Sequence, residues 1–216
     1  MTRTAILGGS FNPIHYGHLL LADDLLERLR FDRVLFVPAG VPPHKSATTL
    51  APAADRYAMV KLAVADHPRF GVSDLELRRS GPSYTVDTLS ALASTDQALF
   101  LIVGSETFLD LLSWRTPRRI AELARLVVVP RAGSVFDPEV APAQKVLREI
   151  GATRFVVFET GPVPDEGVLV VHATSLPISA SELRHRAGTG RSLAYRLPPA
   201  VVEYIRGRGL YDGHPA

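Results

Sequence analysis

Residues 8–18, GGSFNPIHYGH, place two glycines and a turn directly behind a short apolar run, followed by two histidines, His15 and His18. Glycine lets backbone amides approach a ligand closely, and a helix starting just beyond adds its positive N-terminal end. Both features favour an anion, most often phosphate. Imidazoles one helical turn apart can face the same phosphate and offer it two donors. The phosphate-loop patterns G-x-G-x-x-G and G-x-x-x-x-G-K-[ST] are both missing, so phosphate must be held another way. A zinc pair is the other chemistry open to two histidines, although no third ligand stands at helpful spacing.

Short apolar runs alternate with amphipathic stretches and position these residues. TAILGG reads as a buried strand ending in glycine, and HLLLADDLLERLR as a helix with Leu19, Ala22, Leu25, Leu26 and Leu29 at helical spacing. RVLFVPAG, FGVSDLEL, ALFLIVG, RLVVVPR, RFVVFE and VLVVHA read as further strands. PAADRYAMVKLAVAD, YTVDTLSALAS, ETFLDLL, PRRIAELA, PAQKVLREI, SASELRHRAG and PPAVVEYIRGRG read as helices, with Pro117 breaking one pair. Strands that are apolar throughout are buried on both faces, and helices between them make parallel crossovers. The expected fold is therefore a doubly wound, mostly parallel α/β sheet over about residues 1–175. A helical C-terminal segment, 176–216, belongs to the same unit. In such a sheet ligands bind at the carboxyl ends of the strands. Three clusters fall there: GGSFNPIHYGH, PAGVPPHK and GSETFLDLLSW. The loop 40–54 is a candidate mobile active-site loop.

At 216 residues, 46% hydrophobic and 21% charged, the composition is that of a soluble globular domain. A net charge of +2 does not suggest a surface that coats nucleic acid, and no run reaches membrane-span length. With no cysteine there is no disulfide, thiolate metal site or cysteine nucleophile. The first residues, MTRTAILGGS, are too short in apolar content for a signal peptide, so a cytoplasmic location is expected.

GGSFNPIHYGHL resembles the G-G-[ST]-F-[DN]-P-x-H-x-G-H motif of the HxGH nucleotidylyltransferases, and ISASELR, 178–184, resembles their I-S-x-x-x-x-R signature. VPAGVPPHK, GPSYTVDTL, the SW pair and the tail GRSLAYRLPPAVVEYIRGRGLY resemble the bacterial nicotinate-nucleotide adenylyltransferases in particular. The resemblance runs in order along nearly the whole chain. It implies a Rossmann-like fold and adenylyl transfer from ATP to nicotinate mononucleotide, giving deamido-NAD and pyrophosphate, with Mg²⁺ carried by the ATP phosphates. Such a transfer is an in-line attack on the α-phosphorus by a phosphate that is already an anion. Positioning and charge neutralisation then matter more than a strong base.

By the same resemblance, His15, His18 and Arg184 are the catalytic residues, and Gly8, Gly9, Ser10, Phe11, Gly104 and Ser179 bind ATP. His44 and Lys45 meet the mononucleotide phosphate, and Trp114 stacks on the pyridine ring. The backbone amides of Thr85 and Arg115 receive the nicotinate carboxylate, and Glu106 stands where an aspartate usually holds ribose hydroxyls. Asn12 also replaces a frequent aspartate. Two alternatives remain at this level. One is another acceptor within the superfamily, nicotinamide mononucleotide or pantetheine phosphate. The other is a module that senses ATP without turnover.

Overall fold

The computed structural model describes residues 1–43, 50–130 and 136–212. Its frame is a sheet of seven strands in the order β3-β2-β1-β4-β5-β7-β6, every adjacent pair parallel. The strands are β1 (Thr2–Gly9), β2 (Arg33–Pro38), β3 (Phe70–Val72), β4 (Gln97–Gly104), β5 (Arg125–Val129), β6 (Phe155–Phe158) and β7 (Val168–Val171). The chain runs outward through β1, β2 and β3, then returns to lay β4 beside β1 and continues the other way. The reversal opens a crevice at the carboxyl ends of β1 and β4, where ligands bind in open α/β sheets. Gly8 and Gly9 end one wall of that crevice and Gly104 ends the other.

Helices cover both faces. The helices are α1 (Tyr16–Arg28), α2 (Ala53–Val64), α3 (Leu75–Arg78), α4 (Thr85–Leu92), α5 (Ser105–Leu109), α6 (Pro117–Leu123), α7 (Ala141–Glu149), α8 (Ala180–Gly188) and α9 (Pro199–Gly207). One buried cluster joins α1, α2, α8 and α9 to the sheet through Leu25, Leu26, Met59, Leu183, Val201 and Ile205. The other joins α4 to α7 through Leu89, Phe108, Ile120 and Leu147. Ala5 and Leu7 of β1 belong to the first cluster and Ile6 to the second, as the two-residue period of a strand requires. The C-terminal helices thus bury their apolar stripes in the same core as β1.

Two expectations change. FGVSDLEL is a strand only over Phe70–Val72, and α3 follows at once. The Ser73 hydroxyl accepts the Leu75 N–H, and Asp74, the N-cap residue, pairs with Arg78 at 2.7 Å. Short polar side chains that bond the local backbone draw it out of a ladder. The break between ETFLDLL and PRRIAELA falls ahead of Pro117: a 3₁₀ turn covers Leu111–Ser113, Thr116 adopts φ 48°, and Pro117 opens α6. Proline suits that first helical position because its missing N–H has no partner there.

Beyond β2, Gly40 lies so close to the neighbouring α3 segment that a Cβ would sit 2.4 Å from the Glu76 carbonyl oxygen. Backbone cannot yield as a flexible side chain does. Gly40→Ala is expected to destabilise the fold by about 3 kcal/mol, the upper part of the range for overpacking. A lower urea midpoint at unchanged m-value checks this, and an unshifted midpoint would show that the segment relaxes freely.

Candidate active site

The loop leaving β1 buries Phe11, Asn12 and Ile14. A Cβ on Gly8 would meet nothing within 4 Å, so space for a ligand lies over it. Phe11 is held at φ 44°, in the left-handed region that costs a non-glycine residue energy. The residue is 2% exposed, and its ring packs edge-on to His18 at 5.1 Å and against Phe36 at 5.9 Å. The Ser10 carbonyl turns inward to accept Arg56 Nη1 at 2.8 Å.

His15 caps the N-terminus of α1 and His18 lies in its first turn. Their rings stack at 3.8 Å, inclined by 28°. His15 donates its backbone N–H to His18 Nδ1 at 3.3 Å. An imidazole nitrogen that accepts carries no proton, so His18 keeps its proton on Nε2 as a donor. His15 is 7% exposed, and its Nδ1 is buried with no hydrogen-bond partner among the described residues. Burial pulls its pKa down to about 4. A Cβ on Gly17 would come within 3.0 Å of His15 Nδ1, so the glycine between the histidines makes room for the ring. The N-terminal amides of α1 play a smaller part than the sequence suggests: Tyr16 N–H goes to the Arg196 carbonyl at 3.0 Å and His18 N–H to His15 at 2.9 Å.

Arg184 comes from α8 and is half-buried. It donates from Nη1 to the Asn12 carbonyl at 2.9 Å and from Nη2 to Ser181 Oγ at 3.1 Å, which ties the second motif to the first. Ser179 is the exposed N-cap of α8, with no hydrogen bond from its side chain to the helix. Gly104 is the N-cap of α5, and a Cβ there would find only Thr107 Oγ1, at 3.8 Å. Glu106 is exposed in the first turn of α5.

Thr85 is the first residue of α4, a position whose amide has no partner inside the helix. Trp114 is partly buried at the edge of the second cluster, as is Tyr84. The exposed Arg115 lies with its guanidinium 5.0 Å from the centre of the Tyr84 ring and 3.6 Å from Asp87 Oδ2. That contact joins the two segments that carry Thr85 and Arg115. His44 and Lys45 lie outside the described residues.

Three supporting residues escaped the sequence reading. Arg56 is 1% exposed and donates to the carbonyls of Ala51, Ser10 and Gly40. Its spacing to Met59 and Val60 puts it on the apolar stripe of α2, a signal that could have found it. Asp55, 5% exposed, accepts from Tyr204 and Arg208. Tyr211 donates to Asn12 Oδ1 at 2.9 Å, and nothing in local sequence announces that contact.

The geometry offers hydrogen-bond donors to phosphate. Among the described residues no group of three or more His, Cys, Asp or Glu could hold a metal ion. The two rings stack face to face, with His18 Nδ1 already engaged by the His15 backbone N–H. Fold and site together define an α/β enzyme that binds nucleotides.

A cytidylyltransferase-like family model matches residues 6–186. The chain is 40% identical over 213 residues to a probable nicotinate-nucleotide adenylyltransferase of Thermomicrobium roseum, covering 98% of this chain and 92% of that one. Against the Roseiflexus protein of the same description it is 43% identical over 207 residues, covering 95% and 96%. The Plasmodium falciparum nicotinic acid mononucleotide adenylyltransferase complexed with NaAD superposes with a TM-score of 0.74 at 18% identity, 98% of each chain, a likeness of fold. The chain belongs to the cytidylyltransferase-like family and, within it, to the nicotinate-nucleotide adenylyltransferases.

Burial of His15 has a consequence for stability. Its pKa is about 4 in the fold against 6.5 when unfolded, so between those values the unfolded chain binds the extra proton. The contribution of the neutral ring is whole above pH 6.5 and is lost as pH falls towards 4, to a total of roughly 3 kcal/mol. His15→Asn, which does not titrate, should show a correspondingly shallower loss of stability. Urea unfolding of both proteins at neutral pH and at about pH 4.5 measures the difference. Parallel losses would mean that His15 is readily protonated in the fold.

Proposed function

We propose that this protein transfers the adenylyl group of ATP to nicotinate mononucleotide, forming nicotinate adenine dinucleotide and releasing pyrophosphate. The observation that carries this reading is the pair of stacked imidazoles at the β1/β4 crevice, with Arg184 tied to the same loop. A phosphate oxygen of the mononucleotide attacks the α-phosphorus of ATP. The new P–O bond forms as the bond to the β-phosphate bridging oxygen breaks, and pyrophosphate carries the charge away.

His18 Nε2–H stabilises the α-phosphate as charge builds, and His15 backs it with a neutral ring. The backbone of Gly8, Gly9, Ser10 and Phe11 borders the nucleotide, and Gly104 lets it approach the end of β4. Ser179 and Arg184 hold the β- and γ-phosphates. The substrate is the Mg²⁺ complex of ATP, with the ion on phosphate and water oxygens, because imidazole is a poor ligand for so hard a cation. On the acceptor side Trp114 stacks on the pyridine, the amides of Thr85 and Arg115 take its carboxylate, Glu106 takes ribose hydroxyls, and His44 with Lys45 meet the phosphate.

Residues 1–175 and 176–216 act as one unit, since the latter segment supplies Ser179 and Arg184. Nothing in this reaction calls for nucleic acid or a membrane, and among the described residues no helix is long and apolar enough to cross one. A reaction between two phosphorylated metabolites suits the cytoplasm.

An acceptor panel tests the reading: pyrophosphate should appear with ATP, Mg²⁺ and nicotinate mononucleotide together. Preference for nicotinamide mononucleotide or pantetheine phosphate, or ATP binding with no turnover, would replace it. His18→Ala should lower kcat by about two to three orders of magnitude, the usual loss for one donor serving a transition state, with a smaller effect on ATP affinity. Trp114→Ala should weaken the acceptor by about 1–3 kcal/mol and leave the KM for ATP nearly unchanged, on the analogy of base–aromatic stacking. Equal damage to both substrates would make Trp114 a packing residue.

A further inference from the structure

The end of the described chain reaches back into the phosphate site. Tyr211, 6% exposed, donates its hydroxyl to Asn12 Oδ1 at 2.9 Å, across 199 residues of sequence. The same oxygen accepts the Ala51 N–H at 3.0 Å. Asn12 is itself 3% exposed, and its backbone carbonyl accepts Arg184 Nη1 at 2.9 Å. The tail turns inward through two residues in the left-handed region, Gly209 at φ 59° and Tyr211 at φ 69°. Glycine adopts that region freely, whereas a tyrosine there is strained and is retained only where its surroundings hold it. Burial pushes the Tyr211 phenol up, against the opposing pull of Arg184 and Arg56, so the hydroxyl stays protonated and donates.

We propose that Tyr211 is a positioning residue for adenylyl transfer: by holding the Asn12 side chain it fixes the carbonyl against which Arg184 is aimed. The proposal rests on the reading of Arg184 as a phosphate-binding residue. Asn12 is tethered at its side chain by the tail and by Ala51, which narrows the range over which its carbonyl can turn. With that carbonyl fixed, one arm of the guanidinium is held and the rest of it stands at a set angle to the crevice. Without the hydroxyl the loop keeps its place in the chain but loses one of the bonds that fix its orientation. A second tail contact supplies the control. Tyr204 on α9 donates to Asp55 Oδ1 at 2.8 Å, docking the tail on α2 without touching Asn12.

The test measures pyrophosphate release from ATP, Mg²⁺ and nicotinate mononucleotide, with a melting temperature for every variant. Tyr211→Phe keeps the ring in its pocket, and Asn12 Oδ1 keeps the Ala51 N–H, so the variant retains its packing. It should lower kcat about tenfold, the scale of loss when a catalytic group is slightly misplaced, and leave the KM for the mononucleotide unchanged. Tyr204→Phe should lose a comparable amount of melting temperature with kcat within about twofold of wild type, because it loosens the tail away from the site. In an Arg184→Ala background, Tyr211→Phe should have no further effect on kcat, since the group it positions is gone. An active wild type in which Tyr211→Phe behaves like Tyr204→Phe, or in which the two losses multiply in the double variant, would overturn the proposal and leave the function standing. A wild type that releases no pyrophosphate would sink the functional reading, and the proposal with it.

Discussion

The guanidinium of Arg56 sits inside the protein with its donors directed at three backbone carbonyls: Ala51 at 2.9 Å, Ser10 at 2.8 Å and Gly40 at 3.1 Å. Those oxygens belong to the loop after β1, the loop after β2 and the approach to α2. Burying a cation is unfavourable, and burial pulls the Arg56 pKa down while Tyr211 and Glu76 oppose the fall. Three carbonyl dipoles aimed at one charge recover much of that cost through charge-assisted hydrogen bonds. The consequence is geometric. With their carbonyls turned inward, the loops cannot choose their orientation independently, and the crevice edge beside Gly8 and Gly9 has one shape. The tight approach of Gly40 to Glu76 lies beside the same centre, since Arg56 also takes the Gly40 carbonyl.

The electrostatics of the site follow from what burial permits. Two imidazoles stacked at 3.8 Å cannot both be charged without repulsion, and burial keeps the His15 ring neutral at physiological pH. The site therefore offers positive charge from Arg184 and directed neutral donors from the rings. That suits a substrate whose charge is redistributed during the reaction and whose product must leave. A cluster of fixed cations would hold pyrophosphate too firmly after transfer. On the proposed reading, neutral donors at the α-phosphate and charge farther along the triphosphate would favour the step in which charge moves towards the leaving group.

The elements that position the site were legible because their signals are strong and local. Apolar runs such as ALFLIVG specified buried parallel strands, and GGSFNPIHYGH and ISASELR stood out by composition and spacing. FGVSDLEL misled because an apolar start says nothing about Ser73 and Asp74 taking over the backbone at its centre. The buried role of Phe11 was hidden for a similar reason: motif position indicates where a residue lies along the chain, while its φ decides which way its ring points. Arg56 was legible in principle, as a charge on an apolar stripe. The Tyr211 contact was not, because the partner of a hydroxyl near the end of the chain is set by tertiary closure.

That closure explains why the second motif can lie so far along the chain from the first. The bond from Arg184 to Asn12 spans 172 residues and the bond from Tyr211 spans 199. The entropy of bringing chain ends together grows only as the logarithm of their separation, so such contacts cost little more than nearer ones once the sheet has formed. They do, however, require the sheet. Leu183, Val201 and Ile205 bury against the same cluster as Ala5 and Leu7 of β1, and this packing sets α8 and α9 where Arg184 and Tyr211 can reach Asn12. The arrangement around Asn12 is therefore a product of the finished fold: Asn12 lies in the first turn, and the groups that bond it come from α8 and from the tail behind α9.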